Sequence, residues 1–173
     1  MPDTHIYLSK IDAAKRQLEM AIQLFFHYSD IVSIHALTWN SYKILKDLAT
    51  TCQIKSYHEQ ILDNIKKERK SEIRKKFSEA GNFMKHADKD PSNVLKFNTS
   101  LTEFWIWDSC ELYRKYVKDN PPMILLFISW FGLQHYDLFL EGEYKETAKR
   151  LKSSLNPNDR VSFYKHLSDI KSF

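Results

Sequence analysis

The chain has 173 residues with three glycines, five prolines and 14% aromatics; this length fits one domain that buries about 70% of its unfolded surface, and so few turn-forming residues exclude an all-β fold. A formal net charge of +4 is too small to imply nucleic acid from the total alone, so the placement of the charge has to decide. The longest apolar run, Met123 to Phe131, falls short of the roughly 20 residues of a bilayer-crossing helix, and the N-terminus lacks the basic start and apolar stretch of an export signal, so the expectation is a cytoplasmic protein with no membrane partner.

Ser9 with Asp12 forms an N-cap signature, and Ile11, Leu18, Ala21, Ile22 and Phe25 recur at helical spacing, which predicts a first helix over about 9–28. Asp30 offers the next cap, and Ile34, Leu37, Ser41, Ile44, Leu45 and Leu48 form the stripe of a second helix running to about Cys52. The short linker between them makes these two helices antiparallel neighbours. A short helix carrying Tyr57, Ile61 and Ile65 follows. The pattern lapses at Lys66-Lys-Glu-Arg-Lys70 and resumes at Ile73, then runs through Phe77, Ala80, Met84 and Ala87 until Asp88-Lys-Asp-Pro91 stops it. Gly81 lies inside this helix, where glycine costs about 1 kcal/mol against alanine, so close packing or a kink is expected there.

Thr99 or Ser100 caps a strong helix carrying Leu101, Phe104, Trp105, Leu112 and Tyr116, with Asp108 on its apolar face. Pro121-Pro122 opens a helix that is apolar nearly all round and runs through Trp130 and Phe131 towards His135. Two shorter amphipathic helices, about 143–155 and 158–170, complete the chain. The expected fold is a single all-α domain over residues 1–173, an antiparallel bundle of about seven helices that forms a homodimer through an aromatic-rich helix face. Cys52 and Cys110 each lie in an apolar helical pattern without a CxxC neighbour, which predicts buried free thiols in a reducing compartment.

The candidate functional residues are mostly polar groups on apolar faces. Asn82 and His86 are four apart and share a helix face, while Asp88 and Asp90 bring carboxylates that could hold a histidine ring. The same features also read as ordinary helix-end chemistry. His35, in the mostly apolar Ile31 to Leu37 segment, should be buried with a partner, and Asp108 is the obvious one. The sharper expectation is one polar interhelical pocket built from His35, His86, Asp108 and His135. No HExxH or ExxH pair stands on one helix, so no metal ligands and no cofactor are assigned. Neither the cysteines nor the serines carry a nucleophile signature. Lys66, Lys67, Arg69, Lys70, Arg74, Lys75 and Lys76, set against only Glu68 and Glu72, form the strongest RNA-contact feature, although a solvated helix face has the same composition.

The N-terminal helical pair, followed by a later helix ending in Asn82-Phe-Met-Lys-His86, resembles the HEPN superfamily over residues 10 to about 137. That resemblance implies an all-helical, often dimeric bundle. Many members are ribonucleases of toxin or phage-defence systems, with an arginine, four to six residues and then a histidine meeting across the dimer cleft. Carried over, His86 is the histidine, Asn82 the polar residue that follows the arginine, and Gly81 stands at the arginine position. Such a departure implies a binding protein or an inactive relative. The alternative it leaves is a metal-independent ribonuclease using His86 or His166, since Arg160 and His166 repeat the spacing; a metal-binding helical protein is a second alternative. The segments Val32-Ser-Ile-His35 and Lys85-His-Ala-Asp88 are also similar to segments of bacterial proteins to which no activity attaches.

Overall fold

A computed structural model describes residues 4–86, 88, 91–138 and 141–169. Among them eight α-helices follow in chain order: α1 (Lys10–Phe26), α2 (Ile31–Thr51), α3 (Tyr57–Asp63), α4 (Lys67–Phe83), α5 (Ser100–Val117), α6 (Pro122–Gln134), α7 (Glu143–Lys152) and α8 (Arg160–Asp169). No strand occurs in the described residues, and no helix there is long and apolar enough to cross a membrane. The all-α class follows the sequence pattern.

Local chemistry starts the first two helices where the sequence places them. The Ser9 hydroxyl accepts from the Asp12 N–H at 3.1 Å while Ser9 N–H donates back to the Asp12 carboxylate at 3.3 Å, which satisfies two otherwise orphaned donors. Asp30 accepts from Ser33 N–H at 2.8 Å and begins α2. The pair is antiparallel, with the Ser41 hydroxyl donating to the Ala14 carbonyl at 2.8 Å.

The next core contact reverses the expected alternation. His35 meets Thr102 and, further along both helices, Tyr42 meets Trp105, so α2 and α5 run in the same direction. Between α5 and α6 Glu103 meets His135 and Trp107 meets Phe131, so that pair is antiparallel. The four-helix core is therefore up-down-down-up, and parallel neighbours need a long crossover. Residues 52–99, carrying α3 and α4, supply it.

The core is aromatic. Phe25, Phe26, Phe127 and Trp130 pack ring against ring at centroid separations of 4.8–6.1 Å, and Trp105 sits fully buried against Trp39 and Tyr42. Trp105 and Tyr113 of α5 and Phe127, Trp130 and Phe131 of α6 are buried by this chain's own helices, while Phe104, Trp107 and Tyr116 of α5 are half-buried.

Three expectations need correction. α4 begins at Lys67, not Ile73, so the basic run is its opening turns. Lys66 gives it no side-chain cap, and Gly81 is its one buried residue. Ile73, Phe77, Ala80 and Met84 are only half-buried, and Ala87 lies outside the described residues. α4 also stops at Phe83, which leaves His86 in the connection beyond it. Cys52 is exposed at the C-cap of α2, because the apolar pattern ends one turn earlier; Cys110 is buried as expected, and burial pushes its thiol well above the usual range.

Candidate functional site

The pocket expected from His35, His86, Asp108 and His135 is not assembled: three of the four bond to other residues and His86 lines a separate cleft. His35, 1% exposed, shares a 3.0 Å hydrogen bond between its Nδ1 and the Thr102 hydroxyl, and Phe97 packs edge-on against its ring. Burial holds it down to about 4, so the ring is neutral. Thr102 and Asp108 are six residues apart on α5, about 9 Å along the axis, so His35 and Asp108 do not pair.

Asp108 serves a different helix. Its carboxylate, fully buried, accepts from Tyr57 N–H at 2.7 Å and His58 N–H at 3.1 Å, the first two amides of α3. It thus pins the crossover to the core through a helix N-terminus. Burial pushes the carboxyl up to about 6, against the pull of those two hydrogen bonds. Next to it lies His58, which the sequence reading overlooked. Its Nδ1 is 3.3 Å from the Tyr42 hydroxyl, its ring packs on Phe77 and Trp105, and burial first, then nearby Lys46, holds it down to about 4.

His135 Nε2 lies 3.1 Å from Glu103 Oε2, and Glu103 Oε1 accepts from Arg160 Nη2 at 2.9 Å. The Arg160 guanidinium also covers the Phe25 ring at 3.8 Å. Glu103 did not stand out in the sequence, and its pairing with Arg160 joins residues 57 apart. Its effect is to dock the start of α8. Arg160 is thereby held by a carboxylate and a ring, while His166 is exposed roughly 120° further around α8. The second arginine–histidine match therefore does not form one constellation within the chain.

The first match fails for a packing reason. A Cβ at Gly81 would lie 2.3 Å from the Trp39 indole, which itself stacks among Tyr42 and Trp105. The space an arginine would need is filled by tryptophan. What the connection beyond α4 does build is a cleft of about 410 Å³ lined by Lys75, Glu79, Asn82, Phe83, His86, Asn93 and Leu95. Asn82 and His86 both line this cleft, although α4 ends between them and they do not share a helix face. Asp88 is exposed and does not line the cleft, and Asp90 lies outside the described residues.

The basic helix leads into that cleft with its cations sorted by face. Arg69 and Lys76 are both paired at 3.1 Å with Glu72, and Lys70 donates to the Asp63 carbonyl at 3.3 Å. Lys67, Arg74 and Lys75 occupy positions i, i+7 and i+8 on another face, with no ion pair among the described residues. Lys66 is exposed at the start of the helix. Beyond the helix end, Lys85 is held below the usual lysine range, first by partial burial and then by the charge of Lys43 on α2. Neither Lys43 nor Lys85 stood out in the sequence. Among the described residues no group of three His, Cys, Asp or Glu side chains could hold a metal ion.

Comparison with known proteins returns no match to a family model, to a curated protein or to a solved structure.

Proposed function

We propose that this chain is a cytoplasmic, non-catalytic binding protein that holds single-stranded RNA along the open face of α4, with one unpaired nucleotide in the adjoining cleft. One observation carries the reading, the row of cations with no carboxylate partner among the described residues, Lys67, Arg74 and Lys75 on α4; beyond the helix, Lys85 lies within reach of the charge of Lys43. Seven cations against two carboxylates leave residues 66–76 at +5, compared with +4 for the whole chain, so the remainder is nearly neutral. A cation partly desolvated beside another cation is stabilised by an anion arriving from outside. The cleft volume falls in the small-ligand range, and its amide, imidazole and Phe83 lining suits an unpaired base rather than a paired one. Binding without cleavage is favoured because Trp39 occupies the space at Gly81 and Glu103 holds Arg160.

The test is fluorescence anisotropy with a labelled single-stranded RNA at low salt, followed by a gel of the recovered RNA. Saturable binding is expected, weakened about tenfold in the Arg74→Gln, Lys75→Gln double variant, with the RNA intact. No binding at low salt would sink the reading. Cleavage that His86→Ala abolishes would replace it with the ribonuclease alternative.

A further inference from the structure

Glu79 does not fit a cleft that holds RNA through phosphates alone. It lines the cleft beside α4, exposed, with no hydrogen bond or ion pair among the described residues. Lys75 stands one turn before it and forms no ion pair with it. Glu72 on the same helix, by contrast, is shared by Arg69 and Lys76 at 3.1 Å. A bare carboxylate repels a phosphate that comes close, so beside the cation row Glu79 weakens backbone binding. Its chemistry suits the other part of a nucleotide. An ionised carboxylate only accepts hydrogen bonds, and its two oxygens can take two donors at once.

The bases differ in how many donors they offer such a group. The pairing edge of an unpaired guanine carries two adjacent donors, the ring N–H and the exocyclic amino group, which match both carboxylate oxygens. Adenine and cytosine set one amino donor beside a ring-nitrogen acceptor, and uracil sets one N–H between two carbonyl oxygens. Each of these turns a lone pair towards the carboxylate. The rest of the lining suits the remainder of guanine. Lys75, Glu79 and Asn82 occupy positions i, i+4 and i+7 of α4 and share one face. The Lys75 ammonium and the Asn82 amide bring N–H donors for the guanine carbonyl oxygen, and the half-buried Phe83 ring offers a surface for stacking. A cleft of about 410 Å³ has room for a purine. We infer that this cleft selects guanine, and that Glu79 is the residue that reads its pairing edge. The inference rests on the assignment of the α4 face to single-stranded RNA and adds which base is taken.

The experiment is fluorescence anisotropy at low salt with four labelled oligouridines that differ only in one central nucleotide, guanosine, adenosine, cytidine or uridine. It is run on the full chain and on Glu79→Gln, whose native helicity is checked by circular dichroism. The wild-type chain should bind the guanosine oligonucleotide about tenfold more tightly than the other three, the discrimination of one good bidentate contact. In Glu79→Gln the four affinities should fall within about twofold of one another, since the amide offers one acceptor and one donor group in place of two acceptors. Plain oligouridine should bind that variant no more weakly than the wild type, because a negative charge has left the phosphate path. Wild-type affinities that do not differ, or an equal weakening of all four in the variant, overturn the choice of guanine and leave RNA binding in place. A guanosine preference that survives in Glu79→Gln overturns the role of Glu79. If the wild type binds none of the four, the RNA assignment itself fails and the inference fails with it.

Discussion

Gly81 is the point at which helix propensity and packing disagree. Alanine there would gain up to about 1 kcal/mol of helix propensity, yet its Cβ would sit 2.3 Å from the Trp39 indole, a ring that is 5% exposed and stacked among its neighbours. Overpacking of this kind costs about 1–3 kcal/mol. Gly81→Ala should therefore lower the unfolding free energy by about 1–2 kcal/mol in urea titration, where an ordinary surface helix would gain stability. The buried titrating groups give a second residue-scale expectation. His35 and His58 drop from 6.5 to about 4 on folding, so their contribution is complete above about pH 6.5 and is lost as the pH falls towards 4. Asp108 rises from 3.8 to about 6, so its contribution is complete below about pH 4 and is lost as the pH rises through 6. Two histidines oppose one carboxyl. Stability should fall between pH 6.5 and 4.5, by up to about 3 kcal/mol, the worth of one histidine shifted by some two pK units. In His58→Phe the remaining histidine and Asp108 should nearly cancel, leaving urea midpoints almost independent of pH over that window.

Among the elements, α3 depends on a carboxylate that lies 50 residues or more away in sequence. Asp108→Ala leaves the Tyr57 and His58 amides without their acceptors, and the loss of charge-assisted hydrogen bonds at a buried helix start should cost about 2–3 kcal/mol. Hydrogen exchange should show those two amides opening more than the amides of α1; equal protection in the variant would mean that α3 is held by other contacts. This contrast marks what the sequence made legible. Ser9 with Asp12 and Asp30 with Ser33 are three residues apart, so the starts of α1 and α2 could be read directly. Asn82 and His86 share a cleft because their closeness in sequence survives even though the helix ends between them. Asp108 with α3 and Glu103 with Arg160 join residues 50–57 apart, and no periodicity reports such a distance. The false pocket arose from the same limit: four polar groups on apolar faces were assumed to face one another, whereas His35, Asp108 and His135 each have another partner and His86 lines a separate cleft. The start of α4 was missed for a different reason, since a helix at the edge of the fold needs no long apolar face and lysine, arginine and glutamate sustain it through propensity and ion pairs.

At the scale of the whole molecule, an aromatic four-helix core carries its charge on the crossover that makes α2 and α5 parallel. Residues 66–76 hold +5 on a chain of +4, and the cations split into a pair that shares Glu72 and an exposed row with no ion pair among the described residues. The central claim is that this second row contacts phosphates. The most direct measurement is the salt dependence of single-stranded RNA binding, compared between the wild-type chain and the Lys67→Gln, Arg74→Gln, Lys75→Gln triple variant. Each phosphate contact contributes a slope of about −0.7 in log affinity against log salt for a single strand. The account predicts a wild-type slope of about −2 or steeper and a loss of about two units of slope in the triple variant. Equal slopes in the two proteins, or a wild-type affinity that does not respond to salt, would contradict it.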